Sequence, residues 1–280
     1  MVLWPIMNSF MNEIETIYQK SSSSGTWFCE DYIKLPNRAT SYGDGLFETM
    51  VWSQDNIRFF EKHLKRLSEG MEFLGMDASM INSEELISLL KKTIPGERKR
   101  IRWTVFRAGA GKYTPEESAV IQLLQIAPAT VVSEIKRYTD VSRNVQLFAN
   151  PWSKYKTLNA LPYIIANKEK SERGLDEMIL LDHRGYISEA SIANIFWVKS
   201  GTYFTPALTC GCIDGVSRQV LIDYLNSSEI PLEVGEFKLD ELHTAEQVVV
   251  TNSSGVSYLE RFKDRMFSTK PIEFLKLIFD

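Results

Sequence analysis

Glu189 stands in the stretch Glu189-Ala-Ser-Ile-Ala-Asn-Ile-Phe196, just after a hydrophobic run at 178–181 and the polar turn Asp182-His-Arg-Gly185. Strand, turn ending in Gly and second strand read as a hairpin. A carboxylate in that place either faces water or lies under a bound heterocycle and holds a ring nitrogen protonated. Lys156 lies between a strand and a helix, flanked by Tyr155 and Thr157. Its amine becomes a nucleophile if burial or a neighbouring cation depresses its pKa, and is otherwise a surface charge. Lys154, two residues earlier, competes for the same role. Gly215-Val-Ser217 opens a helix, so the backbone N–H groups of Val216 and Ser217 and the positive end of the dipole suit a phosphate. A simple serine cap is the other reading. Arg66 carries a planar fork of donors matched to phosphate oxygens, and reads equally as a surface helix arginine.

The elements that must position these groups follow from periodicity. Residues 60–76 form a helix with Leu64, Leu67, Met71 and Leu74 on one stripe and His63 and Arg66 together on another face. Asn82-Ser-Glu-Glu85 starts the next helix with an acidic first turn. Residues 100–106 alternate with period two, a strand that ends in the loop Arg107-Ala-Gly-Ala-Gly-Lys-Tyr-Thr-Pro115. Residues 119–126 are a nearly all-apolar buried strand. Ala127-Pro-Ala-Thr130 is the candidate linker, because the strand stops there at a proline. Strand 145–149 leads to the lysine, helix 161–172 stops at Gly174, and a further strand covers 203–205. Helix 219–225, strand 248–251, a break at Asn252-Ser-Ser-Gly255 and a last helix over 271–279 complete the chain. Gly43-Asp-Gly45 and Gly109-Ala-Gly111 match no nucleotide fingerprint and read as loops needing positive φ. Strands and helices are mixed in two unequal blocks, so the fold class is α+β with two domains, 1–127 and 128–280.

The 280 residues carry a net charge of −4 with interspersed signs, which excludes the electrostatic footprint of a nucleic-acid or anionic-membrane binder. No apolar run reaches about 18 residues, so no membrane span is expected. Cys29, Cys210 and Cys212 cannot build a disulfide framework, and Cys210-Gly-Cys212 is too tight for a zinc knuckle. No metal site and a reducing, cytoplasmic home are the expectations. Met1-Val-Leu-Trp-Pro-Ile-Met7 lacks a charged n-region and reads as an upstream extension, since Met7 or Met11 could also start the chain.

Taken in order and spacing, Lys156, Glu189, Asn194 and Gly215-Val-Ser-Arg218 resemble the fold-type IV pyridoxal phosphate enzymes, the class IV aminotransferases, in a D-amino acid aminotransferase-like two-domain fold. Arg38-Ala-Thr-Ser-Tyr-Gly-Asp-Gly-Leu-Phe-Glu-Thr49 is similar to their N-terminal signature, and His63-Leu-Lys-Arg66 to the helix that supplies a phosphate-binding arginine. Lys156-Thr-Leu-Asn159 resembles the lysine motif of the D-amino acid and lyase branches, and Thr251-Asn-Ser253 the last cofactor- and substrate-contacting turn. The resemblance implies pyridoxal 5'-phosphate held covalently by Lys156, which also shuttles the proton at Cα. It implies that Glu189 pairs with the ring nitrogen and that Asn194 lies in the same cofactor site. Arg66, Val216, Ser217, Thr251 and Ser253 would hold the phosphate. Tyr42, Glu48, Arg107, Lys112 and Asn252 would face a small amine substrate, and the enzyme would be a homodimer.

Two reactions share this machinery. Arg38-Ala-Thr-Ser-Tyr-Gly-Asp-Gly, the Arg107 to Tyr113 loop and Thr251-Asn-Ser lean towards aminodeoxychorismate lyase, which yields 4-aminobenzoate and pyruvate for folate synthesis. The alternative is an aminotransferase of D-amino acid or branched-chain type. Ala160 and Leu161 stand where the branched-chain branch has a tyrosine, which lowers that variant. The turn after Asn252 also lacks the family's usual proline. A non-catalytic binding or assembly protein that kept the fold is the alternative of a different class, and failure to bind pyridoxal phosphate would favour it.

Overall fold

The computed structural model describes residues 16–21, 24–29, 32–129 and 132–279. The reading of the first ten residues as an extension lies outside them. The chain divides into two compact units, Met1–Thr130 with Lys156–Leu158, and Val131–Tyr155 with Asn159–Asp280. The sequence puts the break after residue 127 and leaves Lys156 in the second block; the packing returns Lys156–Leu158 to the first.

In the first unit, strands β1 (Thr16–Ser21) and β2 (Phe28–Cys29) precede a short helix α1 (Arg38–Tyr42). Then come β3 (Gly45–Ser53), β4 (Asn56–Ile57), helices α2 (Phe60–Phe73) and α3 (Ser83–Thr93), and strands β5 (Lys99–Arg107) and β6 (Val120–Pro128). Among the described residues these strands form one antiparallel sheet in the order β2-β1-β6-β5-β3-β4. Along β3 the pleat puts Leu46, Glu48, Met50 and Trp52 on the face where α2 packs, and Phe47 on the opposite face. α3 begins as its sequence signals, with Asn82 Oδ1 accepting from Glu85 N at 3.0 Å.

Two expectations change here. The sequence reads 38–49 as a loop leading into a strand, yet residues 38–42 form α1 because Asn37 caps the turn and Gly43 closes it at φ 64°. Gly45, read as needing positive φ, lies in β3 and is required for a different reason. A Cβ there would meet Val105 O and Phe106 Cβ at 2.7 Å and Leu158 Cδ1 at 2.8 Å. Only a bare backbone lets the returning segment close on β3.

The second unit starts with β7 (Ile135–Lys136) and β8 (Thr139–Leu147), then α4 (Leu161–Glu172), β9 (Glu177–Asp182), β10 (Ile187–Ala190) and β11 (Asn194–Lys199). It continues with β12 (Thr202–Pro206), α5 (Val216–Ser227), β13 (Leu232–Gly235), β14 (Gln247–Asn252) and β15 (Gly255–Leu259). Strands β16 (Arg261–Phe262) and β17 (Arg265–Met266) and helix α6 (Glu273–Phe279) end it. Among the described residues the strands make two sheets, β10-β9-β8-β16-β17 and β13-β12-β11-β14-β15-β7. Ile179 and Ile187 from one sheet and Ile195, Trp197, Val248 and Val250 from the other share one buried cluster. Burial of such side chains stabilises by about 1.5–3 kcal/mol each.

Candidate active site

Lys156 is pinned by backbone bonds on both sides. Phe47 N donates to Lys156 O and Leu158 N to Gly45 O, each at 2.9 Å, with an isolated bridge between Leu46 and Thr157. The segment therefore runs as an extra short strand beside β3, and Lys156 Nζ lies 4.6 Å from the centre of the Phe47 ring. The Arg102 guanidinium contacts the same ring at 3.8 Å. Lys154 belongs to the other unit; its carbonyl accepts from Asp214 N, and its Nζ is 5.0 Å from the Tyr155 ring.

On the helix-covered face of β3, Glu48 is 1% exposed and sits between His63 and Arg66. Arg66 Nε donates to Oε1 at 2.8 Å and Nη2 to Oε2 at 2.5 Å, while His63 Nδ1 is 2.7 Å from Oε2. Burial excludes the surface reading of Arg66, and the helix face it shares with His63 closes on Glu48, with two of these contacts on Oε2 and one on Oε1. Burial alone would raise the Glu48 pKa, but the Arg66 charge and the His63 hydrogen bond overcome it and bring it from 4.5 down to about 2. A carboxylate whose folded pKa lies below its unfolded value stabilises the fold above about 4.5 and loses that contribution as pH falls towards 2. Glu48→Gln is therefore expected to cost ~3 kcal/mol near neutral pH and to flatten the loss of stability between pH 4.5 and 2. Denaturant titrations across that window check it.

Arg107 is also turned inward. Its Nε donates to Asp44 Oδ2 at 2.9 Å, and its other nitrogens donate to the carbonyls of Leu74, Gly75 and Glu117. Arg38 shares Asp44 and donates to the carbonyls of Ala110, Lys112 and Tyr113, and Tyr42 Oη donates to Gly111 O at 2.8 Å. Arg107 thus anchors the loop that follows it, and the expectation that it meets substrate is corrected. Lys112 keeps its side chain at the exposed tip of that loop.

The second unit gathers the other candidates. A register shift between Ile187 and Glu189 bends β10 and re-aims its side chains. Glu189 is 3% exposed, so the solvent-facing reading is excluded. Its Oε1 accepts from Tyr163 Oη at 2.6 Å, and its Oε2 from Ile213 N at 3.3 Å and, at the limit, from Asn194 Nδ2 at 3.5 Å. Asn194 also donates to Ile213 O at 2.7 Å and pairs across the sheet with Thr251. A Cβ on Gly215 would lie 1.9 Å from Asn194 Oδ1, so only glycine lets α5 start here.

That start has no side-chain cap, yet Val216 and Ser217 are 3% and 2% exposed. First-turn N–H groups have no intrahelical acceptor, and burying them bare is costly unless something else accepts. Ser217 Oγ donates to Asn252 O at 2.7 Å, which ties the β14–β15 turn to the helix start. Asn252 Oδ1 accepts from Ser254 N at 2.9 Å, and Ser253 lies inside the same turn. Thr251 Oγ1 is buried with no hydrogen-bond partner among the described residues. An uncapped dipole end beside an orphan hydroxyl is a place for an anion. Sequence reasoning missed two members of this cluster, the Ile213 backbone and the Tyr163 side chain. The helix of Tyr163 was expected, but nothing local says which side chain will reach Glu189.

Among the described residues no helix is long and apolar enough to cross a membrane, and no His, Cys, Asp or Glu group could hold a metal. The family model for class IV amino-transferases matches residues 45–257. The chain is 27% identical over 245 residues to a protein of Aquifex aeolicus (strain VF5) named "Probable branched-chain-amino-acid aminotransferase", covering 80% of this chain and 77% of that one. It is 24% identical over 230 residues to the aminodeoxychorismate lyase of Vibrio harveyi, covering 80% and 84%. The crystal structure of 4-amino-4-deoxychorismate lyase from Pseudomonas aeruginosa superposes with a TM-score of 0.81 at 24% identity, covering 93% of this chain and 96% of the other.

Proposed function

The chain belongs to the class IV amino-transferase family, whose enzymes use pyridoxal phosphate, and we propose that it is an aminodeoxychorismate lyase acting through that cofactor. The observation that carries the cofactor assignment is the buried, uncapped start of α5 beside the partnerless Thr251 hydroxyl, with the buried Glu189 carboxylate in the same unit. A phosphate-tailed ring with a basic nitrogen suits both features. The donor chemistry therefore fits pyridoxal phosphate.

When bound, the cofactor supplies an electron sink for the pair left at Cα once a proton departs. Lys156 holds it covalently and moves that proton. Glu189 keeps the ring nitrogen protonated, and Asn194 supports Glu189. The N–H groups of Val216 and Ser217, with Thr251, Ser253 and Arg66, hold the phosphate. Glu48 serves by fixing the Arg66 fork rather than by touching substrate. Tyr42, Lys112 and Asn252 are the proposed substrate contacts. Exposed Leu161 and Ile164 on α4 suit a subunit contact, so a homodimer is part of this reading, as is a reducing cytoplasmic home for a chain whose Cys29, Cys210 and Cys212 are free thiols.

The lyase reading rests on Arg38-Ala-Thr-Ser-Tyr-Gly-Asp-Gly and on Thr251-Asn-Ser253, while Ala160 and Leu161 lower the branched-chain variant; it draws nothing from Arg107. The aminotransferase reading is supported by the likeness to the Aquifex protein. One spectrum separates them. Holoenzyme is mixed with D-alanine, L-glutamate or a branched-chain amino acid, and separately with aminodeoxychorismate. The expected result is an unchanged cofactor spectrum with the amino acids and release of pyruvate from aminodeoxychorismate. Conversion of the cofactor to its amine form by any of the amino acids, without pyruvate release from aminodeoxychorismate, makes the enzyme an aminotransferase.

A further inference from the structure

We propose that Tyr163 is a positioning residue for the reaction: the hydrogen bond it donates to Glu189 keeps that carboxylate ionised, and so keeps the shared proton on the ring nitrogen of the bound cofactor. The inference rests on the reading of Glu189 given above and names the group that makes it work.

Tyr163 is held from two directions. Its ring packs against the cluster of Val145, Leu147, Ala166, Met178 and Leu180, and its carbonyl accepts from Asn167 Nδ2 at 2.8 Å. It sits in the first turn of α4, directly after Pro162, whose fixed φ stiffens that turn. The hydroxyl is therefore delivered to Glu189 by a helix packed on a core, not by a loop.

At 2.6 Å the bond has the length of an O–H donor on an anionic oxygen. Burial, and then the charge of Glu189, hold the Tyr163 pKa well above the usual tyrosine range, so the group stays a donor and does not become a second anion. The Ile213 N–H and the more distant Asn194 amide serve the other oxygen.

A carboxylate and a ring nitrogen that share one proton have two arrangements: the ion pair, or a neutral acid beside a neutral ring. The proton crosses a single hydrogen bond between them, and nothing else is gained or lost. A donor to the carboxylate stabilises only the ion pair. A hydrogen bond to a charged group biases such an equilibrium by about ten- to a hundredfold. Without it, burial favours the neutral arrangement and the ring becomes a weaker sink. A hydroxyl that only anchored α4 would not move this proton.

The test loads parent, Tyr163→Phe and Glu189→Gln proteins with pyridoxal phosphate labelled with nitrogen-15 in the ring and records the ring-nitrogen resonance of each holoenzyme. Glu189→Gln marks the unprotonated position. Tyr163→Phe is expected to move the resonance towards that position and to lower kcat about tenfold with cofactor retained. Added to Glu189→Gln it should change neither readout further. A Tyr163→Phe resonance at the parent position, with Glu189→Gln displaced, overturns the role of Tyr163 alone, even if kcat falls. A Glu189→Gln resonance that stays in place overturns the Glu189 reading and this inference with it.

Discussion

Lys156→Ala is expected to fold normally, to lose covalent attachment of pyridoxal phosphate, and to lose turnover by at least about four orders of magnitude. The fold is expected to survive because the segment is held through its backbone. Both bonds to β3 run from main-chain atoms, Phe47 N to Lys156 O and Leu158 N to Gly45 O, and alanine keeps them. What disappears is the amine beside the Phe47 ring. Lys154→Ala is the matched control and should keep attachment and most activity, since its carbonyl bond to Asp214 N is also main-chain. Borohydride reduction followed by peptide mapping reads the outcome directly. A cofactor fixed on Lys154 in the parent protein would sink the assignment.

The second large effect is expected from Glu189→Gln. The variant should still bind the cofactor, because the α5 start and the β14–β15 turn are untouched, yet turnover should fall by about three orders of magnitude. A close ion pair at an effective dielectric near 20 is worth about 4 kcal/mol, roughly a thousandfold in the protonation of the ring nitrogen. Glutamine accepts the same Tyr163 hydrogen bond and fills the same space, so packing does not account for the loss. It carries no charge to hold the proton. Steady-state kinetics beside a cofactor-binding titration separates the two quantities: kcat should collapse while the dissociation constant moves little. Turnover close to that of the parent would remove the electron-sink role from Glu189.

These expectations draw differently on sequence and on structure. The Asn82 cap, the two-residue alternation of β5, the turn ending in Gly185 and the glycine-led start of α5 were all readable, because each is decided by neighbours within a few residues. β1 was not. Its Thr-Ile-Tyr-Gln-Lys-Ser has no clean alternation, and its partner β6 lies about a hundred residues away. Arg107 reads as a substrate group through the resemblance and because the basic groups of its loop could meet substrate carboxylates. Asp44, brought to it by the β3–β5 pairing, turned it inward.

By itself the sequence determined the class of protein and the residue types of the site, since a lysine, a glutamate and a glycine-started helix in that order can be read without coordinates. Tertiary structure alone decided which groups hold them: Gly45 opening room for the lysine segment, Glu48 gripping Arg66, and Tyr163 reaching Glu189. The reason is that those contacts join atoms 18 to 113 positions apart, where no local pattern constrains geometry and only the packed sheets and helices set the distance.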